Sequence, residues 1–309
     1  MFQIADCLAE AGHPVVIKHS NLRLPQHRYF STENVNDYHP TDNLNPRMFE
    51  EVRDDVYYWT IFKLMTEGDI DVAFFGRERW AYLANHVKKP VFLYSHWPER
   101  PIPPKATILC NSGFTKREIN RRWGVNAIVL NPPVYLDRYD PERDFDERDI
   151  DVISVGQFYH YKGFEILDEL EGFNVHLVGT KVPDSKVPNR ATIHEGVKFS
   201  ELSELLSRAK VFVHPTWHEH FGIVVVEAMA SGCPVVVHKS GGPWFNVVRG
   251  RYGLGFEGAK ELRKKVSSLM DKKRWTRYKI LSLERSMNYG KGRFKEKLGE
   301  VLNGVRTNH

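Results

Sequence analysis

Short apolar, β-branched runs alternate with segments of helical periodicity along most of the chain. In the first half, the runs that predict buried strands are PVVIKHS, DIDVAFF, KPVFLYSH, ATILCNS and NAIVLNPP. The second half contains an equivalent series, DVISVGQ, NVHLVG, ATIHEG, KVFVHP and CPVVVH. Continuous apolar strands separated by helices are typical of parallel sheets that are covered on both faces. The pattern therefore predicts an α/β protein with two doubly wound, Rossmann-like domains.

The stretch between the two series, residues 135–150, is charged and contains proline. We interpret it as an interdomain linker, which places the N-terminal domain at 1–134 and the C-terminal domain at 151–289. Ligands of doubly wound domains bind beyond the carboxyl ends of the strands. We therefore expect a ligand to bind in a cleft that the two domains face.

The chain opens directly on a helical pattern. Ile4, Leu8 and Ala11 lie on one face of this predicted helix, which ends at Gly12 before the strand PVVIKHS. A doubly wound domain ordinarily begins with a central strand and a glycine-containing loop ahead of its first helix. We therefore expect the N-terminal domain to lack its first strand.

Composition excludes several other classes of protein. The 309 residues are enough for two domains, and contents of 41% hydrophobic and 27% charged residues are typical of a soluble globular protein. No apolar run approaches the roughly 20 residues that a membrane-spanning helix needs. Three scattered cysteines, Cys7, Cys110 and Cys233, do not suggest a disulfide framework and favour a reducing compartment. These features predict a cytoplasmic protein.

Positive charge is concentrated near the C-terminus. The whole chain has a net charge of +5, whereas residues 259–309 contain fifteen Lys and Arg against five Asp and Glu. Three interpretations of this segment stay open: a solvated helix face, contact with an anionic inner membrane face, and nucleic-acid binding. No nucleic-acid motif supports the third, so we expect no nucleic-acid partner.

Residues 214–234, HPTWHEHFGIVVVEAMASGCP, form the densest cluster of chemically active side chains. Three histidines with Glu219 and Cys233 suggest a metal site. The helical His-Glu-x-x-His pattern fails, however, because Gly222 occupies the place of its second histidine. We therefore expect no metal and no cofactor, and a metal-dependent hydrolase is the least favoured alternative.

The two glutamates of this stretch fit a different ligand. GIVVVEAMASG predicts a helix that begins at Gly222, and the amides near Gly222 and Ile223 would form an anion site suited to a diphosphate. Glu219 precedes this helix and Glu227 lies in its second turn. Eight residues would span about 12 Å if they were wholly helical, comparable to the distance from a sugar across a diphosphate to a ribose. A carboxylate accepts the two hydroxyl hydrogen bonds that sugar and ribose diols offer.

Several motifs together resemble the family 4 glycosyltransferases, which have the two-domain GT-B fold. EHFGIVVVEAMASGCPVVV resembles the donor signature of that family, and SVGQFYHYKGFEIL resembles the opening of its C-terminal domain. The stretches LAEAGHPVVI, YSHWP, NSGFT and LNPPV resemble segments of its N-terminal domain. EHFGIVVVE followed by HKSGGP is most similar to the branch that adds α-1,2-mannose from GDP-mannose to dolichol-linked oligosaccharides.

This resemblance implies a retaining glycosyltransferase that needs no metal. It would move a hexose, mannose or glucose, from a nucleotide sugar to a glycan or lipid-linked acceptor. GDP-mannose is the favoured donor and UDP-glucose the second. It also implies that the final helix, residues 290–307, packs back onto the N-terminal domain. The alternative is a catalytically impaired relative that binds nucleotide sugars.

The resemblance assigns three catalytic residues. Glu219 would bind the hexose hydroxyls, Lys162 would neutralise the departing diphosphate, and His96 would lie near the reacting sugar. Glu227 would bind the ribose. The remaining donor-binding residues would contact the phosphates, the sugar or the base; they are Gln157, Val197, Lys198, Phe221, Gly222 and Ile223.

Two positions depart from the family pattern. Gln157 stands where the family usually has an arginine, and Tyr159 stands where the dolichol-linked branch has one. We therefore expect that one positively charged side chain that contacts the diphosphate is missing, or that another residue supplies its charge.

Overall fold

The computed structural model describes residues 2–12, 17–20, 49–52, 73–75, 90–96, 98, 105–183 and 185–306. The chain divides into two compact units. Residues Met1–Asn111, Thr115–Asn131 and Lys295–His309 form the first, and residues Ser112–Phe114 and Pro132–Phe294 form the second. Within the described ranges, no helix has the length and apolar content required to cross a membrane.

The described part of the first unit contains helices and short parallel strands. In chain order they are α1 (Phe2–Glu10), β1 (Ile17–Ser20), β2 (Phe49–Val52), β3 (Ala73–Phe75), β4 (Val91–Ser95), β5 (Thr107–Cys110), α2 (Gly113–Trp123) and β6 (Ile128–Val129). Strands β1 and β2 pair with each other, and the other four form a parallel sheet in the order β3-β4-β5-β6. All five residues of β4 are buried, as its continuous apolar run predicts.

The opening helix is confirmed as α1, but its buried side chains differ from the predicted face, because Leu8 is only half-buried and Ala11 is exposed. Ile4 and Cys7 of α1 are each only 3% exposed, and the chain leaves the helix through Gly12, which has a left-handed φ of 83°. The predicted strands PVVIKHS and DIDVAFF correspond to β1 and β3, although parts of both lie outside the described residues. Strand β2 was not predicted.

The second unit follows in the same alternating order. Its strands and α-helices are β7 (Ile150–Gln157), β8 (Val175–Thr180), β9 (Thr192–Glu195), α3 (Phe199–Arg208), β10 (Ala209–His214), α4 (Ile223–Ala230), β11 (Val235–His238), β12 (Leu254–Phe256), α5 (Ala259–Ser268), α6 (Lys272–Ser286) and α7 (Lys291–Arg306). Short 3₁₀ segments cover Leu136–Arg138, Phe145–Glu147, His160–Lys162, Phe164–Glu169 and Met287–Tyr289, and a π-helical turn covers Pro243–Val248. The five predicted strands of this half are confirmed, and β12 is an additional edge strand.

The six-stranded sheet of this unit has the parallel order β12-β11-β10-β7-β8-β9. From β7 the chain proceeds to β8 and β9 on one side, and then to β10, β11 and β12 on the other. The strand order therefore reverses between β7 and β10, which are direct neighbours with Val152 beside Val211. A ligand site is expected outside the carboxyl ends of the strands at such a reversal.

The expected linker, residues 135–150, belongs to the second unit, and exposed acidic residues alternate in it with half-buried and buried ones. Arg148 is only 2% exposed, and its guanidinium donates to the carbonyls of Ala209 and Ser231 at 2.7 and 2.9 Å. These carbonyls lie at the ends of α3 and α4, where a cation also complements the helix dipole. Charge alone therefore did not indicate exposure, because backbone carbonyls satisfy this buried cation.

The final helix, α7, starts in the second unit, and its residues from Lys295 onward belong to the first. Phe294, Leu298 and Val301 recur at helical spacing along it and are buried. In the first unit, the Lys295 ammonium lies 2.8 Å from the Glu10 carboxylate of α1.

Candidate active site

The strand reversal brings two loops of the second unit together. One loop follows β7 and contains Lys162, and the other follows β10 and contains Glu219. Because β7 and β10 are adjacent and parallel, their carboxyl ends meet at the same edge of the sheet. Residues separated by 57 positions in the sequence therefore come into direct contact.

Lys162 and Glu219 form an ion pair at this edge. The Lys162 Nζ lies 2.6 Å from Glu219 Oε2, and the two side chains are only 20% and 17% exposed. The other carboxylate oxygen, Oε1, accepts a hydrogen bond of 3.0 Å from the His220 amide. Burial alone would raise the pKa of Glu219, but the Lys162 ammonium and the His220 amide outweigh it, and the pKa is lowered. Glu219 is therefore ionised at neutral pH.

A buried histidine lies behind this pair. His214 ends β10 and is 3% exposed. Neither of its ring nitrogens has a hydrogen-bond partner among the described residues. Burial lowers its pKa to about 4, with the nearby Lys162 charge acting in the same direction and Glu219 opposing it. His214 is therefore neutral near pH 7, and it adds no second positive charge beside Lys162. The sequence analysis gave this residue no part in donor binding.

The predicted helix after Glu219 is confirmed as α4. It starts after Gly222, whose φ of 73° lies in the left-handed region that favours glycine. The Val225 amide donates to the Gly222 carbonyl at 3.0 Å, so the hydrogen-bond ladder begins at this glycine. The preceding amides at the helix start therefore have no helical acceptor, as in an anion-binding N-terminus. Phe221 is buried and packs edge-on against Tyr289.

The segment Ser240–Gly242 hydrogen-bonds to the loop that contains Glu219. The Gly242 amide donates to the Glu219 carbonyl at 2.7 Å. A Cβ added at Gly242 would overlap the carbonyl of His220, so only glycine permits this backbone approach. Ser240 Oγ accepts from the His218 amide at 2.9 Å. The sequence HKSGGP therefore sets the position of the glutamate-containing loop.

Glu227 lies in a very different environment. It is partly buried, and burial raises its pKa to about 7, although a hydrogen bond from Tyr139 and the charge of Arg138 oppose the rise. Burial and the Glu227 charge raise the pKa of Tyr139 well above its ordinary value, so its hydroxyl stays protonated and donates. The sequence analysis missed Arg138 and Tyr139, because both lie in the stretch interpreted as a linker.

The residues expected near the base adjoin this second cluster. Val197 is buried, and the exposed Lys198 is the residue immediately before α3. The next residue, Phe199, packs edge-on against Tyr139, and its ring centre lies 3.7 Å from the guanidinium carbon of Arg138. Phe199 therefore connects the Val197–Lys198 turn to the partners of Glu227.

Gln157 and His96 are the two remaining residues expected in the site. Gln157 is the last residue of β7 and pairs with Thr180 in the sheet. His96 belongs to the first unit, where it is exposed immediately after β4 and its ring lies edge-on to Tyr94. The Asn111 side chain donates to the His96 carbonyl at 3.2 Å.

The residues of the metal hypothesis point in different directions. His218 stacks on Trp217, His220 packs against Phe114, and Cys233 is buried beneath α4. Across the part of the chain that the structure describes, no three His, Cys, Asp or Glu side chains form a group that could hold a metal ion.

Comparison with solved structures establishes the fold. Sucrose-phosphate synthase from Thermosynechococcus elongatus superposes with a TM-score of 0.74 at 17% identity, covering 99% of this chain and 92% of that chain. Anabaena HepE in complex with UDP-glucose gives a TM-score of 0.74 at 14% identity, covering 98% and 95%. Residues 180–285 match the family model "Glycosyl transferases group 1". The chain therefore has the GT-B fold, as predicted, and the glycosyltransferase family model matches about a third of it.

Among characterised proteins, the chain is similar to enzymes named GDP-Man:Man(3)GlcNAc(2)-PP-Dol alpha-1,2-mannosyltransferase. The Neurospora crassa enzyme is 25% identical over 189 residues, which are 46% of this chain and 34% of that protein. The Mus musculus enzyme is 48% identical over 52 residues, which are 17% of this chain and 11% of that protein. The matched region thus spans about a third or less of these relatives.

Proposed function

We propose that this chain transfers a hexose from a nucleotide diphosphate sugar to a glycan or lipid-linked acceptor, with retention of configuration. One observation carries the proposal: the Lys162–Glu219 ion pair lies at the sheet reversal, directly before the N-terminus of α4. A cation and a helix start suit a diphosphate, and a charged carboxylate suits sugar hydroxyls. These are the two parts of a nucleotide sugar that meet at the bond to be broken.

In the proposed reaction, negative charge develops on the departing diphosphate. Lys162 and the amides at the start of α4 would stabilise that charge without a metal ion. Glu219 would accept hydrogen bonds from the hexose hydroxyls, and His96 would approach the reacting sugar. Glu227, together with Arg138 and Tyr139, would hold the ribose, and the Val197–Lys198 turn would contact the base. Gln157 would contribute at the phosphate end.

The ion pair also favours binding of a complete nucleotide sugar over a free nucleoside diphosphate, a preference that the sequence motif does not suggest. In the free protein, the Lys162 ammonium already donates a hydrogen bond of 2.6 Å to the Glu219 carboxylate. A nucleoside diphosphate must therefore compete with Glu219 for the lysine. A complete nucleotide sugar compensates for this competition, because its hydroxyls satisfy the carboxylate while its phosphates satisfy the ammonium.

GDP-mannose is the favoured donor, and a dolichol-linked oligosaccharide the favoured acceptor. Support comes from the names of the Neurospora and mouse relatives. UDP-glucose is the second donor, supported by the HepE complex. A lipid-linked acceptor also fits a cytoplasmic protein that touches an anionic membrane surface. The exposed cations of α5 and α6, which include Lys260, Lys264, Lys273 and Arg277, would supply that contact.

Thermal unfolding with a ligand panel, followed by a transfer assay, tests the proposal. A ligand that binds only the folded state must raise the unfolding temperature. We expect GDP-mannose to raise it more than GDP does, and we expect transfer of labelled mannose to a lipid-linked oligosaccharide. The same comparison between UDP-glucose and UDP tests the second donor. Binding without transfer or donor hydrolysis would instead support the catalytically impaired relative, for which Tyr159 in place of an arginine is the motivating observation.

A further inference from the structure

Two exposed aromatic side chains accompany the Lys162–Glu219 ion pair. Tyr161 immediately precedes Lys162 and is 52% exposed, and Trp217 lies two residues before Glu219 and is 63% exposed. The Lys162 Nζ lies 5.6 Å from the centre of the Tyr161 ring. Large exposed side chains occur elsewhere on the chain as well, so the position of these two rings beside the ion pair, rather than their exposure alone, is the feature that suggests a ligand.

Each ring has one covered face. Trp217 stacks on His218 with ring centres 4.1 Å apart and an interplanar angle of 26°. Tyr161 stacks on Tyr159 with ring centres 5.2 Å apart and an angle of 16°. Trp217 remains 63% exposed despite this stacking, whereas Tyr161 also has the Lys162 ammonium over its ring at 5.6 Å and the His160 ring edge-on to it. Tyr159, the residue that replaces the expected arginine, thus supports an aromatic ring.

The backbone holds Trp217 in this position at a conformational cost. His218 has a φ of 54°, in the left-handed region that non-glycine residues rarely adopt. Its amide donates to Ser240 Oγ, and Ser240 Oγ also lies 2.8 Å from His238 Nδ1. The His218 ring centre also lies 6.0 Å from that of Phe114. The stacking partner of Trp217 is therefore fixed, and strain of this kind is concentrated at ligand sites.

Carbohydrates suit such a surface. A pyranose ring presents an apolar face of C–H groups and a rim of hydroxyls. The C–H groups carry partial positive charge and pack on the negative face of an aromatic ring. The donor hexose is already assigned to Glu219, so a ring as exposed as Trp217 is available to a second sugar.

We propose that Trp217 and Tyr161 form a platform that binds a pyranose ring of the acceptor glycan. This inference rests on the proposed function and adds a recognition site that the donor signature does not contain. The platform orients the acceptor sugar beside the bond that breaks, with the Trp217 face supplying most of the contact.

Mannotriose, a lipid-free glycan, is the probe, and its binding to the full chain is measured by saturation-transfer NMR without any donor. We expect Trp217→Ala to weaken mannotriose binding about tenfold, the upper range of a single aromatic stacking contact. Trp217→Phe keeps an aromatic face and should stay within about threefold of the wild type. Trp217→Leu keeps apolar bulk without that face and should resemble the alanine variant. The matched control is Ile280→Ala, which alters a residue of the same unit that is 60% exposed.

The outcomes separate this inference from the proposed function. The affinity for GDP and UDP should be unchanged in all four variants, because the platform does not contact the nucleotide. Unchanged mannotriose binding in Trp217→Ala, a parallel loss of nucleotide affinity, or no binding to the wild type would each overturn the platform. Loss of binding to anionic lipid vesicles without loss of mannotriose binding would assign Trp217 to a membrane and also overturn it. A platform that binds mannotriose in a protein without transfer activity would refute the proposed function alone.

Discussion

Glu219 and Glu227 are the same residue type, lie eight positions apart and flank one helix start, yet their environments are opposite. Glu219 contacts the Lys162 ammonium at 2.6 Å, and its pKa is lowered. Glu227 accepts a hydrogen bond from an uncharged phenol, and burial raises its pKa to about 7. The first carboxyl is therefore ionised at neutral pH, whereas the pKa of the second lies near neutrality.

Under the proposed function, the two environments give the two glutamates different roles in ligand binding. A carboxylate that is already ionised and paired can act beside a charged diphosphate without a change of protonation. A carboxyl near its pKa binds a diol most strongly when it is ionised, so its contribution depends on pH. We therefore expect the sugar end to control turnover and the ribose end to control affinity.

The largest effect is expected from Glu219→Gln. This change removes the charge that accepts sugar hydroxyls, and the transfer rate should fall about 10²- to 10³-fold, the usual range for loss of one preorganised polar contact at a reacting centre. The affinity for GDP or UDP should stay the same or increase, because Lys162 loses its competitor. Steady-state kinetics and isothermal titration measure the two quantities.

Glu201→Gln is the matched control for that experiment, since it neutralises an exposed glutamate on α3 of the same unit. A fall in nucleotide affinity as large as the fall in turnover would contradict the assignment of Glu219 to the sugar.

An intermediate effect is expected from Lys162→Met. The nucleoside diphosphate should bind about 10- to 100-fold more weakly, because a partly buried charge pair with the phosphates is lost. The nucleoside alone should bind as it does to the wild type. Lys264→Met on α5 removes an exposed cation and provides the control in the same titrations. Equal losses for nucleoside and diphosphate would exclude the charge role of Lys162.

The smallest effect is expected at the ribose end, as a pH dependence. The pKa of Glu227 is about 7, so its carboxyl ionises as the pH rises from 6 to 8. Only the ionised form accepts hydrogen bonds from both ribose hydroxyls, so nucleoside affinity should increase over this range by up to about tenfold. Glu227→Gln should give a flat profile, and a profile that falls with pH in the wild type would reverse the argument.

Much of this arrangement could be predicted from the sequence. The run GIVVVEAMASG forms α4 although Val224–Val226 are poor helix formers, because Val225 and Val226 are fully buried and burial outweighs propensity. The strand KVFVHP ends at His214 as its proline indicates. Both carboxylates of the site followed from their spacing around that helix start.

Other contacts were beyond the reach of sequence patterns. The Lys162–Glu219 pair depends on β7 and β10 being neighbours, and the order of strands in a sheet is not encoded in their periodicity. Tyr139 and Arg138 lie in a charged stretch that resembles a linker, and only its folding against Phe199 brings them to Glu227. Local hydrophobic patterns predict secondary structure and burial within a short segment, whereas these contacts join residues that are far apart in the chain.

The central claim is that the two glutamates carry different charge at neutral pH. Carbon-13 NMR of labelled glutamate side chains, recorded from pH 4 to 9 and assigned with Glu219→Gln and Glu227→Gln, measures this directly. We expect the Glu227 carboxyl carbon to titrate with a midpoint near 7. The Glu219 signal should stay in its ionised position down to below its ordinary pKa of 4.5. Two carboxyl groups that titrate together near that ordinary value would contradict the account.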